Sequence, residues 1–495
     1  MHPIMAKLTG SFWPILIALA NFFHPRPIAA QQSFLRLEVD NAQVVSSNFL
    51  GVNAVYHGFS YMQEADSIQL TSAQREREFQ RIKTLGLKIA RTWYRPDWSC
   101  KTDLYGDYDW QSARMKSFCQ WLDRMQLLKV DIALQAGWWF TRDTYFGRSA
   151  PDPEKDPTVY AKWVASSMHY LIKVKGYTNI KYLVLFTEPL NYEVGLIPRG
   201  FTEPAYYAKV CREIHLALKA NGLRSAVKLV GPNSGSTDTA AHVKWSVENL
   251  NDIVDIYSWH TYNGATFNTN PPKEYEGWSK ITQAGLSLMQ ATGKPFWIDE
   301  YGANRPSETV RHTPDYGNYL AQSVAAFINQ GAQTSLLWIL FDQKYPSLGT
   351  TNDDSFRNGI HRWGLVRHPN DNISGAGKPH PAYYAFQLMS KHLGGGDGTR
   401  VFKTEGTDSL YIVATGREQG LSVMVVNGSR SAKNFCVHFK KNTNGKFTRF
   451  LYDPESIKVS NPGDEIVADK TFRATAFKDR IPPRGVAIYT TDKNL

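Results

Sequence analysis

Cysteine is scarce in this sequence, with four in 495 residues. The spacings of Cys100, Cys119, Cys211 and Cys436 match no metal-binding knuckle. Cys100 and Cys119 flank one loop-helix unit and could pair if the chain is exported, with buried free thiols as the alternative. Long apolar runs are missing too: the stretch SFWPILIALANFF (11–23) has 13 residues, too few for a membrane span, and no later segment qualifies. Dense runs of lysine and arginine are absent, so the net charge of +11 is spread out, which argues against nucleic acid as a partner. Nor is there a low-complexity tract that would imply disorder.

Three catalytic patterns are also lacking. No glycine-rich phosphate loop follows the first strand-like run, which disfavours an open doubly wound sheet binding a dinucleotide. VYHGF (55–59) offers only His57 where a metal-dependent barrel hydrolase needs His-x-His. GPNSG (231–235) lacks the Gly-x-Ser-x-Gly spacing of a serine hydrolase.

What the chain has in plenty is aromatic surface: 13% of residues, including 14 Trp and 25 Tyr, suited to a core and to a sugar-stacking cleft. Residues 1–30 read as an export signal, with Lys7 before the apolar stretch and small residues ahead of a cleavage point after Ala30. An uncleaved anchor is the alternative, since HPRP (24–27) is an awkward lead-in to cleavage. Loss of this segment would lower the net charge to +9 and leave a secreted or periplasmic protein.

From 47 to 393, eight near-continuous apolar runs alternate with helical patterns: 49–56, 87–93, 130–137, 181–188, 227–233, 254–262, 295–302 and 334–342. Continuous apolarity is what strands buried on both faces show. Three of the intervening stretches have helical periodicity with start or stop signals: 75–86 ending at Gly86, 156–173 starting at Pro157, and 204–222 ending at Asn221-Gly222. The pattern predicts an α/β fold, a (β/α)8 barrel. GGGDG (394–398) reads as a linker. From 394 to 495 short strands separated by turns predict a β-sandwich, completed by an N-terminal strand within residues 31–46.

In such a barrel, reactive side chains gather at the carboxyl ends of the strands. Those ends supply Asn53, Arg91, Gln135, Glu188, Asn233, His260, Tyr262, Glu300 and Trp338, with Trp138 and Trp139 close by. Two glutamates follow strongly apolar runs, the first in LVLFTEPLNYE (183–193) and the second in WIDEYG (297–302). A carboxylate at the end of a buried strand is costly unless used. Two facing each other suit glycoside hydrolysis, one as proton donor and one as nucleophile or base. Arg91 and Tyr262 could hold the nucleophile, His260 could contact acid or substrate, and the tryptophans could stack on a pyranose.

The set Arg91, Thr187-Glu188-Pro189, His260-Thr261-Tyr262, Glu300 and Trp338 resembles the large clan of retaining (β/α)8 glycoside hydrolases that includes families five, thirty and thirty-nine. The resemblance covers the whole barrel, and the attached β-sandwich is similar to the layout of families thirty and thirty-nine. It implies Glu188 as acid/base, Glu300 as nucleophile, a carbohydrate substrate and no metal or other cofactor. One departure stands out: Thr187 occupies the place of the clan's usual Asn, which holds the sugar 2-hydroxyl. A hydroxyl is shorter and offers one donor instead of two. A carbohydrate-binding barrel without activity and a transglycosylase remain as alternatives. Asn372 and Asn427 lie in N-glycosylation sequons.

Overall fold

The computed structural model describes residues 33–58, 70–95, 98–102, 105–136, 156–189, 204–235, 239–263, 273–303, 308–344, 360–371, 374–407, 409–418, 420–460 and 464–491. The export segment expected at 1–30, Trp138, Trp139 and Asn372 lie outside the described residues. Among the described residues no helix is long and apolar enough to cross a membrane.

After β1 (Leu35–Ser46), each of the eight apolar runs contributes one strand to a closed parallel barrel. These are β2 (Val52–Val55), β3 (Ile89–Tyr94), β4 (Asp131–Ala136), β5 (Ile180–Val184), β6 (Lys228–Ser234), β7 (Ile256–Asn263), β8 (Phe296–Ala303) and β9 (Thr334–Leu337). Their apolarity is continuous because both faces are covered. One face fills the barrel interior, where Val55, Ile89, Trp93, Ala133, Val184 and Trp297 belong to one cluster. The other face packs under the helices, as Ala54, Ala90, Ile132, Leu134 and Leu183 do.

The helices follow their local signals. Ser72–Leu85 starts at a capping box made by Thr71 and Gln74 and stops at Gly86, whose φ of 64° is the left-handed cap. Its Phe79, Ile82 and Leu85 are buried as the stripe required. Pro157–His169 begins with proline in the first turn, Asp156 accepting from the N–H of Thr158 and Val159, and continues as a π-helical turn at Tyr170–Val174.

A two-stranded ribbon, β10 (Gln343–Lys344) and β11 (Ile360–His361), follows the barrel. The C-terminal strands are β12 (Arg400–Glu405), β13 (Leu410–Arg417), β14 (Gly420–Asn427), β15 (Lys433–Phe439), β16 (Gly445–Tyr452), β17 (Ala468–Ala474), β18 (Phe477–Ile481) and β19 (Val486–Thr490). With β1 they make one nine-stranded sheet in the order β17-β16-β19-β14-β13-β12-β1-β15-β18. The sheet folds over, so that Phe477 on β18 meets Phe447 on β16 and Tyr489 on β19. β1 lies antiparallel to β12 and parallel to β15, completing the sheet as the sequence predicted. β13 and β14 read as unbroken apolar runs because they too are buried twice: Ile412 and Val425 face the sandwich core, while Val413 and Met424 join the core shared with the barrel helices.

Four expectations need correction or completion. GGGDG joins the helix Pro381–His392 to β12 and is packed down: Gly396 N–H donates to Phe49 O, and a Cβ on Gly395 would sit 2.6 Å from the Cα of Gly51. Cys100 and Cys119 are separate buried thiols. Asn427 is fully buried with its amide donating to Ser431 O and Pro482 O, so this sequon offers no accessible acceptor. Asn53 is not at the mouth of the barrel. Its amide accepts from the N–H of Lys88 and Ile89 and donates to Leu50 O and Thr334 Oγ1, tying together the first residues of β3 and β9 at the amino end. Removing these four hydrogen bonds, three of them buried, strands their partners. Asn53→Ala is therefore expected to destabilise the fold by about 3 kcal/mol, read as a lower urea midpoint at an unchanged slope.

Candidate active site

Five strands and the segments after two others converge at the carboxyl end of the barrel. β3 delivers Arg91, β4 Gln135, β6 Asn233, β7 His260 and Tyr262, and β8 Asp299 and Glu300. Thr187 and Glu188 follow β5, and Trp338 follows β9. The fourth apolar run continues to Glu188, but β5 stops at Val184. Phe186 and Glu188 then adopt left-handed φ of 67° and 46°, and Glu188 N–H donates to Asn233 O at 2.9 Å. Non-glycine residues in that region are held there by their surroundings, commonly at functional sites. Glu188 thus sits on a tight exit from the strand, partly exposed, and does not extend the sheet.

Glu300 is surrounded by donors. Arg91 Nη1 bonds its Oε1 at 2.6 Å and Tyr262 OH donates to its Oε2 at 2.6 Å. The Arg91 side chain is entirely buried and that of Glu300 nearly so, so this ion pair lies out of water, where breaking one partner leaves an uncompensated charge. Burial, reinforced by the Glu300 carboxylate, pushes the Tyr262 phenol well above its ordinary range and keeps it a proton-bearing donor.

Glu188 meets His260, whose Nδ1 lies 2.7 Å from Glu188 Oε1 and 3.3 Å from Glu300 Oε2. Burial drives the imidazole pKa down, but the carboxylates of Glu300, Glu188 and Asp299 outweigh it and leave the group above its usual value. One ligand atom from each of Glu188, His260 and Glu300 lies within 4.8 Å of the other two. Among the described residues this trio is the compact donor set a cation could occupy, at the expense of the His260–Glu188 contact.

Thr187 is already engaged. Its Oγ1 accepts from Gln135 Nε2 and, at 3.3 Å, from Arg91 Nη2. Arg91 Nη2 also donates to Gln135 Oε1. A hydroxyl whose oxygen accepts twice retains only its own proton for a ligand. Trp338, about 8% exposed, continues by a cis peptide into Ile339. Its ring lies 5.6 Å from Trp93 and 6.3 Å from Trp363, forming a largely apolar wall. His57 packs on Trp93 at 3.8 Å, and burial together with the Arg91 charge holds its pKa well below normal, so it is neutral.

The structure therefore brings together Arg91, Gln135, Thr187, Glu188, Asn233, His260, Tyr262 and Glu300, adds Asp299, which is not among the strand-end candidates of the sequence, and leaves Asn53 at the opposite end. Alternation from Trp297, which fills the barrel interior, carries Asp299 inward and would send Glu300 outward. The register of β8 shifts against β7 between Trp259 and His260 and against β9 between Ile298 and Tyr301. Such an irregularity re-aims side chains, and consecutive residues Asp299 and Glu300 both reach the interior.

No protein-family model matches the chain, and no curated protein matches it. Solved structures do. The family 30 subfamily 8 glycoside hydrolase xylanase of Clostridium acetobutylicum is 14% identical with a TM-score of 0.61, over 92% of this chain and 99% of that one. Xylanase C of Talaromyces cellulolyticus, also of family 30, is 13% identical with a TM-score of 0.64 over the same shares. A monomeric β-xylosidase from Caulobacter crescentus is 13% identical with a TM-score of 0.63, again over 92% and 99%. The chain shares with these glycoside hydrolases one fold, an eight-stranded parallel barrel carrying a second, mostly antiparallel sheet.

Proposed function

We propose that the chain is an exported retaining glycoside hydrolase that cleaves β-linked bonds of a poly- or oligosaccharide by double displacement. The observation that carries this reading is the pair of glutamates whose carboxylate oxygens approach within 4.8 Å. Retention needs carboxyl groups about 5 Å apart, whereas inversion needs roughly 6.5–9.5 Å to seat a water between sugar and base. The different surroundings of the two support different roles. Glu300, fixed by Arg91 and Tyr262, is the nucleophile that attacks the anomeric carbon. Glu188, partly exposed and paired with His260, gives a proton to the departing oxygen and later takes one from water.

Trp338 and Trp93 offer flat apolar surface to a sugar ring. At the 2-position Thr187 supplies one O–H donor, because Gln135 and Arg91 occupy its oxygen. The similar solved structures are described as xylanases, a β-xylosidase and an endo-β1,6-glucanase, which favours a β-linked substrate. Export rests on the character of residues 1–30.

The test is the anomer first released. Purified protein is incubated with a panel of β-linked polysaccharides and aryl β-glycosides, and proton NMR follows the product before mutarotation. The β-anomer is expected. Initial release of the α-anomer overturns retention, and no released sugar across the panel overturns the hydrolase reading. Oligosaccharides longer than the substrate would identify transfer to sugar in place of water.

A further inference from the structure

Asp299 has no part in the reaction just described, yet it lies fully buried in the same interior. Its Oδ2 accepts from Asn233 Nδ2. Its Oδ1 faces His260 Nε2 at 3.8 Å, and both of those atoms are buried without a hydrogen-bond partner. An imidazole N–H and a carboxylate oxygen are complementary, and leaving both unsatisfied in a dry interior is costly.

We infer that Asp299 is a positioning residue that holds the Nε2 proton of His260, so that Nδ1 is left to share the catalytic proton with Glu188. The inference rests on the glycosidase reading of the two glutamates and deepens it. A carboxylate on one imidazole nitrogen selects the tautomer and sets what the other nitrogen can do. With the proton fixed on Nε2, Nδ1 faces Glu188 Oε1 at 2.7 Å with one proton between them. That arrangement keeps the donor loaded before substrate arrives. Glu188 releases this proton to the departing oxygen as the glycosidic bond breaks. The incoming water then gives its hydroxyl to the sugar and its proton back to Glu188. The Nε2 proton stays in place throughout.

The charges around His260 favour this reading. Glu188 reaches it from the segment after β5, Asp299 and Glu300 from β8, and Tyr262 lies on its own strand with the rings 6.3 Å apart. Arg91, from β3, is committed to Glu300. Tyr207, from the helix Pro204–Ala220, donates to Leu185 O, and its phenol is kept protonated by burial, with smaller contributions from Cys211 and the charge of Asp299. The carboxylates of Asp299 and Glu300 favour a proton on the His260–Glu188 pair, in keeping with the raised imidazole value.

Two measurements test it. In the first, wild-type protein labelled with 15N-histidine is examined by NMR without substrate, and His260→Gln assigns the signal. A protonated Nε2 across the active pH range is expected; protonation at Nδ1 with a bare Nε2 overturns the inference. In the second, Asp299→Asn is assayed on alkyl and nitrophenyl β-glycosides. Removing the negative charge weakens the pair's hold on its proton, so the basic limb of kcat/KM should move to lower pH by about one unit. The loss should be about tenfold greater for alkyl than for nitrophenyl aglycones. An unmoved limb with equal losses overturns the inference. If Asp299→Asn does not fold, the wild-type NMR result decides alone. A wild type that shows the Nε2–H tautomer but cleaves nothing on the panel would sink the glycosidase reading while leaving the role of Asp299 in fixing the tautomer.

Discussion

Glu300→Ala is expected to lower kcat/KM by at least about 10,000-fold on every substrate, because on the proposed mechanism it removes the group that forms the covalent bond to the sugar. The loss should not depend on the leaving group, since no aglycone compensates for a missing nucleophile. Azide added to this variant should restore turnover by entering the space of the carboxylate and attacking from the same side. The product would then be an α-glycosyl azide, inverted relative to the β-linked substrate. Recovery of the β-azide, or retained activity without azide, would remove Glu300 from this role. The variant also leaves Arg91 buried without its ion-pair partner. A lower melting temperature is expected alongside the lost activity, so circular dichroism has to show that the protein examined is folded.

Glu188→Ala should produce a different pattern. General acid catalysis contributes about 100- to 10,000-fold, and that is the loss expected for substrates with alkyl or sugar leaving groups. Dinitrophenyl glycosides depart without protonation, so formation of the glycosyl-enzyme should be largely spared. Hydrolysis of the intermediate then becomes slow for want of a base, and the adduct on Glu300 should accumulate and be visible by mass spectrometry. Azide should release it as a β-glycosyl azide, the opposite anomer from that of the Glu300 variant. Equal losses on good and poor leaving groups would sink the assignment of Glu188 as acid/base.

Much of the architecture was legible along the chain. Eight apolar runs marked eight strands because a parallel barrel buries both faces of each, and that demand is written into composition alone. Helix ends were equally local: Gly86 and Pro157 act through their own backbone preferences, and both stand where those preferences placed them. Arg91, Glu188, His260, Tyr262 and Glu300 could be found because each lies at or near the end of a run, where a barrel gathers its chemistry.

What the tertiary structure alone decided is where periodicity breaks and what partners each side chain finds. Asn53 stood in a run like the others, but its position near the start of β2 turns its amide to the amino ends of β3 and β9. GGGDG had the composition of a linker, and only its packing against Phe49 and Gly51 shows it to be a fitted connection. Asp299 and Glu300 are adjacent in sequence, so strict alternation would turn only one of them into the barrel, Asp299 with Trp297. A register shift that depends on the neighbouring strands brings both inward, Asp299 beside His260. Thr187 was visible as a departure, but that its oxygen is spent on Gln135 and Arg91 depends on three strands meeting. The sequence by itself determined the strands, the helix boundaries and the pair of glutamates, because burial and backbone preference act locally. The tertiary structure decided which donors surround each carboxylate, because hydrogen bonds between residues tens to hundreds of positions apart exist only once the barrel has closed.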